Sequence, residues 1–289
     1  MYEPEMTRLK PGLYLVATPI GTAKDITLRA LDVLNSVDSI AAEDTRTARK
    51  LMDIHGIGQR GRALIAYHDH NGKKARPELL RRVAAGEAVA YMSEAGTPLI
   101  ADPGYHLVTE MREAGLSVFS VPGPSAVVTA LSVGGLPTDS FTFIGFPPST
   151  QKARQKFLSR YAQNEGTLVI YESPKRLLKS LEDMVAVFGS DRRATICREL
   201  TKKFEETISG ALSDLVETLE NRSLKGEIVV LIDRAPDLAP SLDPADELRQ
   251  ALKTHKTKEA AALVAEKLGL PRRDLYQMAL ELTKMDKDT

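Results

Sequence analysis

Residues 89–104 read Val-Ala-Tyr-Met-Ser-Glu-Ala-Gly-Thr-Pro-Leu-Ile-Ala-Asp-Pro-Gly, an apolar run that breaks into small residues, two prolines and two carboxylates. Three other segments follow the same plan: 13–21 (Leu-Tyr-Leu-Val-Ala-Thr-Pro-Ile-Gly), 118–126 (Val-Phe-Ser-Val-Pro-Gly-Pro-Ser-Ala) and 168–174 (Leu-Val-Ile-Tyr-Glu-Ser-Pro). Each reads as a strand feeding a stiff loop. Gly96, Gly104 and Gly123 let a ligand approach the backbone closely, while Pro19, Pro98, Pro103, Pro122 and Pro124 restrict the loops that would hold it. Any one of these is also an ordinary turn. Four at strand ends point to a shared site for a flat, mostly neutral ligand, because ligands of open α/β sheets bind beyond the carboxyl ends of the strands. Thr18–Ala23 lacks the Gly-x-Gly-x-x-Gly dinucleotide fingerprint, and the chain has no Walker A loop.

The elements that must position these loops are legible as alternating periods. Strand-length apolar runs at 13–17, 39–42, 63–67, 88–92 and 117–121 alternate with helical stretches, which implies a mostly parallel sheet with helical crossovers. The first crossover helix is expected over 25–37, with Ile26, Arg29, Ala30, Val33, Leu34 and Val37 as its stripe and Asp25 as its cap. A second α/β block is expected to run through strands at 141–146, 167–171, 194–198, 204–210 and 227–232. Its helices are expected at 151–163, polar, and 174–188, strongly amphipathic with Pro174 in the first turn. Gln151-Lys152-Ala153-Arg154-Gln155-Lys156 reads as a solvated face, with an RNA-facing helix as the other reading. Pro236, Pro240 and Pro244 mark a semi-rigid linker. Beyond it, helical periods at 246–252, 257–268 and from Arg272 to about Leu282, with Gly269 closing one helix and Pro271 opening the next, have the helix-turn-helix arrangement. The expected organisation is an N-terminal α/β domain (1–123), a second α/β domain (124–235), a linker (236–245) and a small helical unit (246–289).

The 39 basic and 39 acidic residues cancel, so no overall field draws the chain to nucleic acid or anionic lipid. An RNA partner would need a local patch. The helical unit, with nine basic and eight acidic side chains from Pro244 onward, reads equally as a nucleic-acid module and as a helical cap. Cys197 is the only cysteine, which excludes an intramolecular disulfide and a Cys-based zinc cluster, and its setting in Ala-Thr-Ile-Cys reads as strand core. The N-terminal residues lack the layout of a signal peptide, and no apolar run approaches the roughly 18 residues of a membrane span. The expectation is a cytoplasmic protein with no membrane partner.

Seven motifs resemble one known family: Thr18-Pro19-Ile20-Gly21 with Asp25-Ile26-Thr27, Glu43-Asp44-Thr45-Arg46, Tyr67-His68-Asp69-His70-Asn71, Ser93-Glu94-Ala95-Gly96-Thr97-Pro98, Val121-Pro122-Gly123-Pro124-Ser125-Ala126, Tyr171-Glu172-Ser173-Pro174 and Arg198-Glu199-Leu200-Thr201-Lys202. In order and spacing, from Leu13 to Asp233, they are similar to the ribosomal RNA small subunit methyltransferase I group of the tetrapyrrole methylase superfamily, and the tail from Asp246 resembles that group's helix-turn-helix segment. One departure is Glu94, where the family usually has Asp. The resemblance implies two α/β domains of the tetrapyrrole methylase type (class III methyltransferase), S-adenosylmethionine bound between them, a homodimer, and 2′-O-methylation of a cytidine ribose in the decoding region of 16S rRNA, presented as RNA or as the assembled small subunit. By the family's pattern, cofactor contacts fall on Pro19, Ala95, Gly96, Thr97, Ile100, Ser125, Ala126, Tyr171, Glu172 and Gly226.

Methyl transfer to a ribose hydroxyl gains from proximity and from a general base, the latter typically about 10²–10⁴-fold. The base candidates are His68, Asp44, Glu43 and Glu199. His68 has a second reading, as a partner of its own loop or of an RNA phosphate. The His68, Asp69 and His70 cluster lacks a clear third ligand, so no metal is expected. Lys24, Arg46, Arg198 and Lys202, with Lys203, are the candidate RNA contacts, their other reading being surface ion pairing with Glu43, Glu199 or Glu205. Two further functions fit the motifs less closely: a methylase of a tetrapyrrole or other small metabolite, and a cofactor-sensing nucleic-acid-binding protein without turnover.

Overall fold

In the first half of the chain the strand-length runs form β1 (Gly12–Val16), β2 (Ser39–Ala42), β3 (Ala63–Ala66), β4 (Ala88–Met92) and β5 (Val118–Val121). They assemble in the order β3-β2-β4-β1-β5 with every pairing parallel. A parallel sheet is covered on both faces, and the two-residue side-chain period divides β4 accordingly. Ala88, Ala90 and Met92 join one core with α1 (Leu28–Ser36) and α2 (Thr45–Ile54). Val89 and Tyr91 join the other with α3 (Gly72–Ala84) and α4 (Tyr105–Glu113). The computed structural model describes residues 2–68, 70–236 and 244–285.

The second sheet is mixed. Its strands are β6 (Phe141–Gly145), β7 (Thr167–Glu172), β8 (Arg193–Arg198), β9 (Glu206–Ala211) and β10 (Ile228–Ile232), in the order β6-β7-β10-β8-β9. Only β6 and β7 pair in parallel; the other pairings are antiparallel. Leu168, Ile170, Ile196 and Val230 face α6 (Gln151–Ser159), α7 (Pro174–Phe188) and α8 (Leu212–Leu219). Val169, Cys197, Val229 and Leu231 face the opposite way, onto α5 (Ala126–Val133) and Ile20. The helix that follows the last strand of the first sheet therefore packs on the second. Both sheets lie in one compact unit, Met1–Ala235.

The other unit, Pro236–Thr289, contains α9 (Pro244–Leu252), α10 (Thr257–Leu268) and α11 (Arg272–Met285) around Leu248, Ala261, Val264, Leu275 and Ala279. Gly269 ends α10 in the left-handed conformation, φ 65°, as the glycine–proline punctuation predicts. Most of the expected linker, residues 237–243, lies outside the described residues. Among the described residues no helix is long and apolar enough to cross a membrane.

Several local expectations are corrected. The first helix starts at Leu28, not Asp25, because Thr27 takes the cap: its backbone is extended and its hydroxyl accepts from Ala30 N at 3.1 Å. Arg29, placed in the apolar stripe, is exposed and donates to Ser120 O at 3.0 Å. Helix α6 ends at Ser159 rather than Gln163, and α8 has no counterpart in the sequence reading. The largest difference is Arg154. Its helix is not a solvated face there, because the guanidinium is buried against Asp183 of α7, with Nε donating at 2.6 Å and Nη1 donating to Ser149 O at 3.0 Å.

A buried charge is stable only while its partner and hydrogen bonds are present. Arg154→Ala is therefore expected to lower unfolding free energy by about 3–5 kcal/mol in urea titrations. Replacing Arg154 with Met together with Asp183→Leu should recover most of that loss. An unchanged midpoint in the single variant would contradict this account of the pair.

Candidate functional site

The parallel order of the first sheet puts the carboxyl ends of all its strands on one edge. The loop after β1 meets the loop after β4 through a two-hydrogen-bond bridge: Thr18 N donates to Gly96 O at 2.9 Å and Gly96 N to Thr18 O at 3.0 Å. Ser93 Oγ also donates to Gly96 O, at 2.8 Å, and Thr97 Oγ1 reaches Pro124 O at 2.9 Å, so the β5 loop is tied in as well. Gly96 has φ 84°, and a Cβ there would meet Ile20 Cγ2 at 3.3 Å. Backbone freedom and close approach both favour glycine at this position.

The second sheet offers the complementary edge: the ends of β6, β7 and β8 and the start of β10. Between the two edges is a cavity of about 540 Å³. Pro19, Ala95, Gly96, Thr97, Ile100, Ser125, Ala126, Tyr171, Glu172 and Gly226 all line it, so the structure brings together the full set of expected cofactor positions. Of the other expected site residues, Glu43 and Lys202 line it; Lys24, Asp44, Arg46, His68, Arg198 and Glu199 are not among the lining residues.

Sequence reasoning missed Phe146, Asp102, Leu200 and Val229 as lining residues, and Cys197 was read as core alone. The signal for Val229 and Cys197 was alternation along β10 and β8, which sends them to the α5 face; Asp102 was marked only as one of the two carboxylates of the 89–104 loop, and Phe146 carried no signal. Burial pushes the Cys197 thiol up to about 11, which keeps it protonated near neutrality and removes it as a nucleophile. Burial, and then the charge of Asp102, pushes Tyr171 up to about 12. Its ring packs edge-on to Phe143 and Phe146, with centroids 4.8 and 5.4 Å away.

Backbone strain gathers around the cavity. Leu99, Ala101, Glu199 and Thr201 have φ of 73°, 62°, 52° and 62°, a region unfavourable for side chains with a Cβ, and such outliers concentrate at ligand sites. The second-sheet turn is held by Lys202, whose Nζ lies 2.8 Å from both Glu199 Oε1 and Glu227 Oε2. Burial opposes the Lys202 ammonium, but these two carboxylates outweigh it and its pKa is raised; Glu199 is lowered by the hydrogen bond from Lys202. Gly226, at φ 98°, passes against Glu199 where a Cβ would overlap the carboxylate. Thr22 Oγ1 donates to Thr201 O, which joins this turn to the β1 loop.

Most of the remaining charged candidates are engaged by structural partners. Asp44 caps α2, accepting from Arg46 N at 2.7 Å and from the Arg46 guanidinium at 2.9 Å. Arg198 donates to Glu206 Oε2 at 3.2 Å, so the ion pairing expected as its second reading occurs, with Glu206 rather than Glu205. Glu172 is buried with its oxygens accepting from Ser173 N, Ser180 Oγ and Arg176, which leaves it little capacity to face a ligand's positive charge. His68 is half-buried beyond the sheet-edge strand β3, its ring 6.0 Å from that of His70, and its backbone N is capped by Asn71. Asp69 lies outside the described residues, and among those described no three His, Cys, Asp or Glu side chains converge as a metal ion requires. Lys24 is exposed.

The chain matches the family model for tetrapyrrole (corrin/porphyrin) methylases over residues 12–216 and the model of the RsmI C-terminal HTH domain over residues 239–283. It is similar to the ribosomal RNA small subunit methyltransferase I of Vibrio cholerae serotype O1, 46% identical over 277 residues that cover 94% of this chain and 95% of the relative. The protein of the same description from Escherichia coli O157:H7 is 48% identical over 276 residues, 93% of this chain and 94% of the relative. In fold it is similar to a uroporphyrin-III C-methyl transferase from Thermus thermophilus, solved with S-adenosyl homocysteine, at TM-score 0.54 and 16% identity over 76% of this chain and 96% of that one.

Hydrogen bonding to Arg46 pulls the Asp44 carboxyl from its ordinary 3.8 down to about 2. A depressed carboxylate stabilises the fold at pH above its unfolded pKa, and that contribution is lost as pH falls through the folded value. Titration of Asp44 by NMR is expected to give a midpoint near 2 in the wild-type chain and one nearer the ordinary value in Arg46→Ala. Equal midpoints would show that Arg46 does not hold the carboxylate.

Proposed function

Since the chain belongs to the tetrapyrrole methylase family, and within it to the ribosomal RNA small subunit methyltransferase I group, we propose that it transfers a methyl group from S-adenosylmethionine to the 2′-hydroxyl of a cytidine in the decoding region of 16S rRNA. The observation that carries this reading is convergence: ten positions from five separate chain segments line one cavity. In the same reading the two sheets are the two domains, with their boundary at Gly123–Pro124. The enzyme works as a cytoplasmic homodimer, and the helical unit contributes to holding the rRNA or the assembled small subunit.

The residues present fit the cofactor. A volume of about 540 Å³ falls within the roughly 300–1,000 Å³ usual for small-molecule pockets. Ile20, Ile100, Leu200 and Val229 supply apolar walls, and Ala95, Gly96 and Ala126 supply small surfaces. Glu94 and Asp102 line the cavity with the negative charge that a sulfonium and an amino group favour, so the family's Asp at position 94 is replaced with the charge retained. When bound, the cofactor supplies an electrophilic methyl on a cationic sulfur.

The protein's part is to hold the hydroxyl in line and to receive its proton. Among the base candidates, Asp44 is held too acidic by Arg46, Glu199 is engaged by Lys202 and Glu227 N, and His68 stands off the cavity. Glu43 lines the cavity, immediately after β2, and accepts from Glu94 N at 3.2 Å. We assign Glu43 the role of base.

The experiment is transfer of labelled methyl from S-adenosylmethionine to small ribosomal subunits from cells lacking this protein, followed by nucleoside analysis. Label in 2′-O-methylcytidine is expected. No label in RNA, with cofactor binding intact, would overturn the rRNA reading in favour of a small-molecule substrate. Gly96→Val is expected to abolish cofactor binding in calorimetry, and Glu43→Gln to lower kcat by about 10²–10⁴-fold with cofactor affinity unchanged.

A further inference from the structure

Phe146 lines the cavity and yet is 57% exposed, a combination that a packing residue has no reason to show. The chain takes several measures to put it there. The register between β6 and β7 shifts between Phe143 and Gly145, and Gly145 has φ 68° with open space around its Cβ position. This is a bulge, and bulges re-aim side chains at the ends of strands and beside sites. The glycine is required by backbone conformation rather than by crowding.

The loop that follows is fixed by two arginines from different helices. Arg154 of α6 donates to Ser149 O at 3.0 Å and to Pro148 O at 3.4 Å. Arg176 of α7 donates to Pro147 O and, at 3.3 Å, to Pro148 O. Pro147 and Pro148 restrict the backbone further. One side of the Phe146 ring is backed by Tyr171, with centroids 5.4 Å apart and planes at 65°. The exposed aromatic surface is thus preorganised at the rim of the cavity.

Resting on the reading above that the substrate is a nucleotide in rRNA, we propose that Phe146 forms the stacking subsite for the base of the nucleotide being methylated. A ribose hydroxyl reaches a methyl group inside a cavity only if its nucleotide leaves the helical stack, which removes the base from its neighbours. An aromatic side chain at the rim replaces that lost stacking for any base, since every base has a π face. Lys203 and Phe204, with the ammonium 5.5 Å from the ring centroid, follow Lys202 of the cavity lining and offer a second aromatic and a cation on the adjoining turn.

The test compares wild type with Phe146→Ala, Phe146→Leu and Phe146→Tyr, measuring kcat and KM for small subunits lacking the modification and cofactor affinity by calorimetry. Leu keeps apolar bulk without a π face, and Tyr keeps the face. The expected result is a fall of about 10–100-fold in kcat/KM for RNA in both the Ala and Leu variants, rescue in the Tyr variant and unchanged cofactor affinity. Weakened cofactor binding with unchanged KM for RNA would make Phe146 a cofactor contact and overturn the proposal. Wild-type kinetics in the Leu variant would overturn it equally. If the wild-type enzyme methylates no RNA, the function proposed above fails first, which is distinguishable from failure of the stacking subsite alone.

Discussion

Thr18 and Gly96 exchange two backbone hydrogen bonds at 2.9 and 3.0 Å, and the geometry of the cavity follows from that exchange. Both residues stand just beyond the carboxyl ends of adjacent parallel strands, where the ladder would otherwise stop and the chains diverge. The bridge is possible because Gly96 accepts φ 84° and because Ile20 leaves room for a hydrogen but little more. With these loops joined, Thr97 reaches Pro124 and the third loop is added. The three loops then present Pro19, Ala95, Gly96, Ser125 and Ala126 as one wall.

The opposite wall depends on electrostatics more than on backbone pairing. Lys202 gathers Glu199 and Glu227 from two chain segments, and the turn containing strained Glu199 and Thr201 is held to Thr22 of the first wall. Charged groups near the cavity are therefore divided by role. Arg46, Arg198 and Lys202 hold structure through Asp44, Glu206, Glu199 and Glu227, and Arg176 holds Glu172. Glu43 and Glu94 line the cavity and take part in none of these salt bridges. An interior where the cations are paired and acidic groups face the cavity suits a cationic ligand.

Much of this was legible in the chain because strand ends were marked by chemistry that ordinary turns do not accumulate: Thr-Pro-Ile-Gly, Ala-Gly-Thr-Pro, Pro-Gly-Pro-Ser and Tyr-Glu-Ser-Pro all follow apolar runs. The continuous apolar run at 88–92 marked a strand of a parallel sheet, and Gly269 marked a helix end. Long-range partners were illegible. Nothing local to Arg154 announces Asp183, 29 positions away, so a buried ion pair read as a solvated face. Asp25 is the better cap on type alone, and the backbone gives the position to Thr27 instead. Helix α8 spans only eight residues, Leu212–Leu219, and its short period went unread between the strands expected at 204–210 and 227–232. Phe146 looked like the end of an apolar run, because its exposure depends on a bulge that the residue types do not reveal.

The central claim is that the two sheet edges act as a single binding surface. Hydrogen–deuterium exchange of the full chain with and without S-adenosylhomocysteine tests it most directly. The account predicts that the ligand slows exchange together in the loops around residues 18–21 and 94–101 of the first sheet and around 171–173 and 226–228 of the second. Slowing confined to the loops of one sheet, with the other unchanged at saturating ligand, would contradict it.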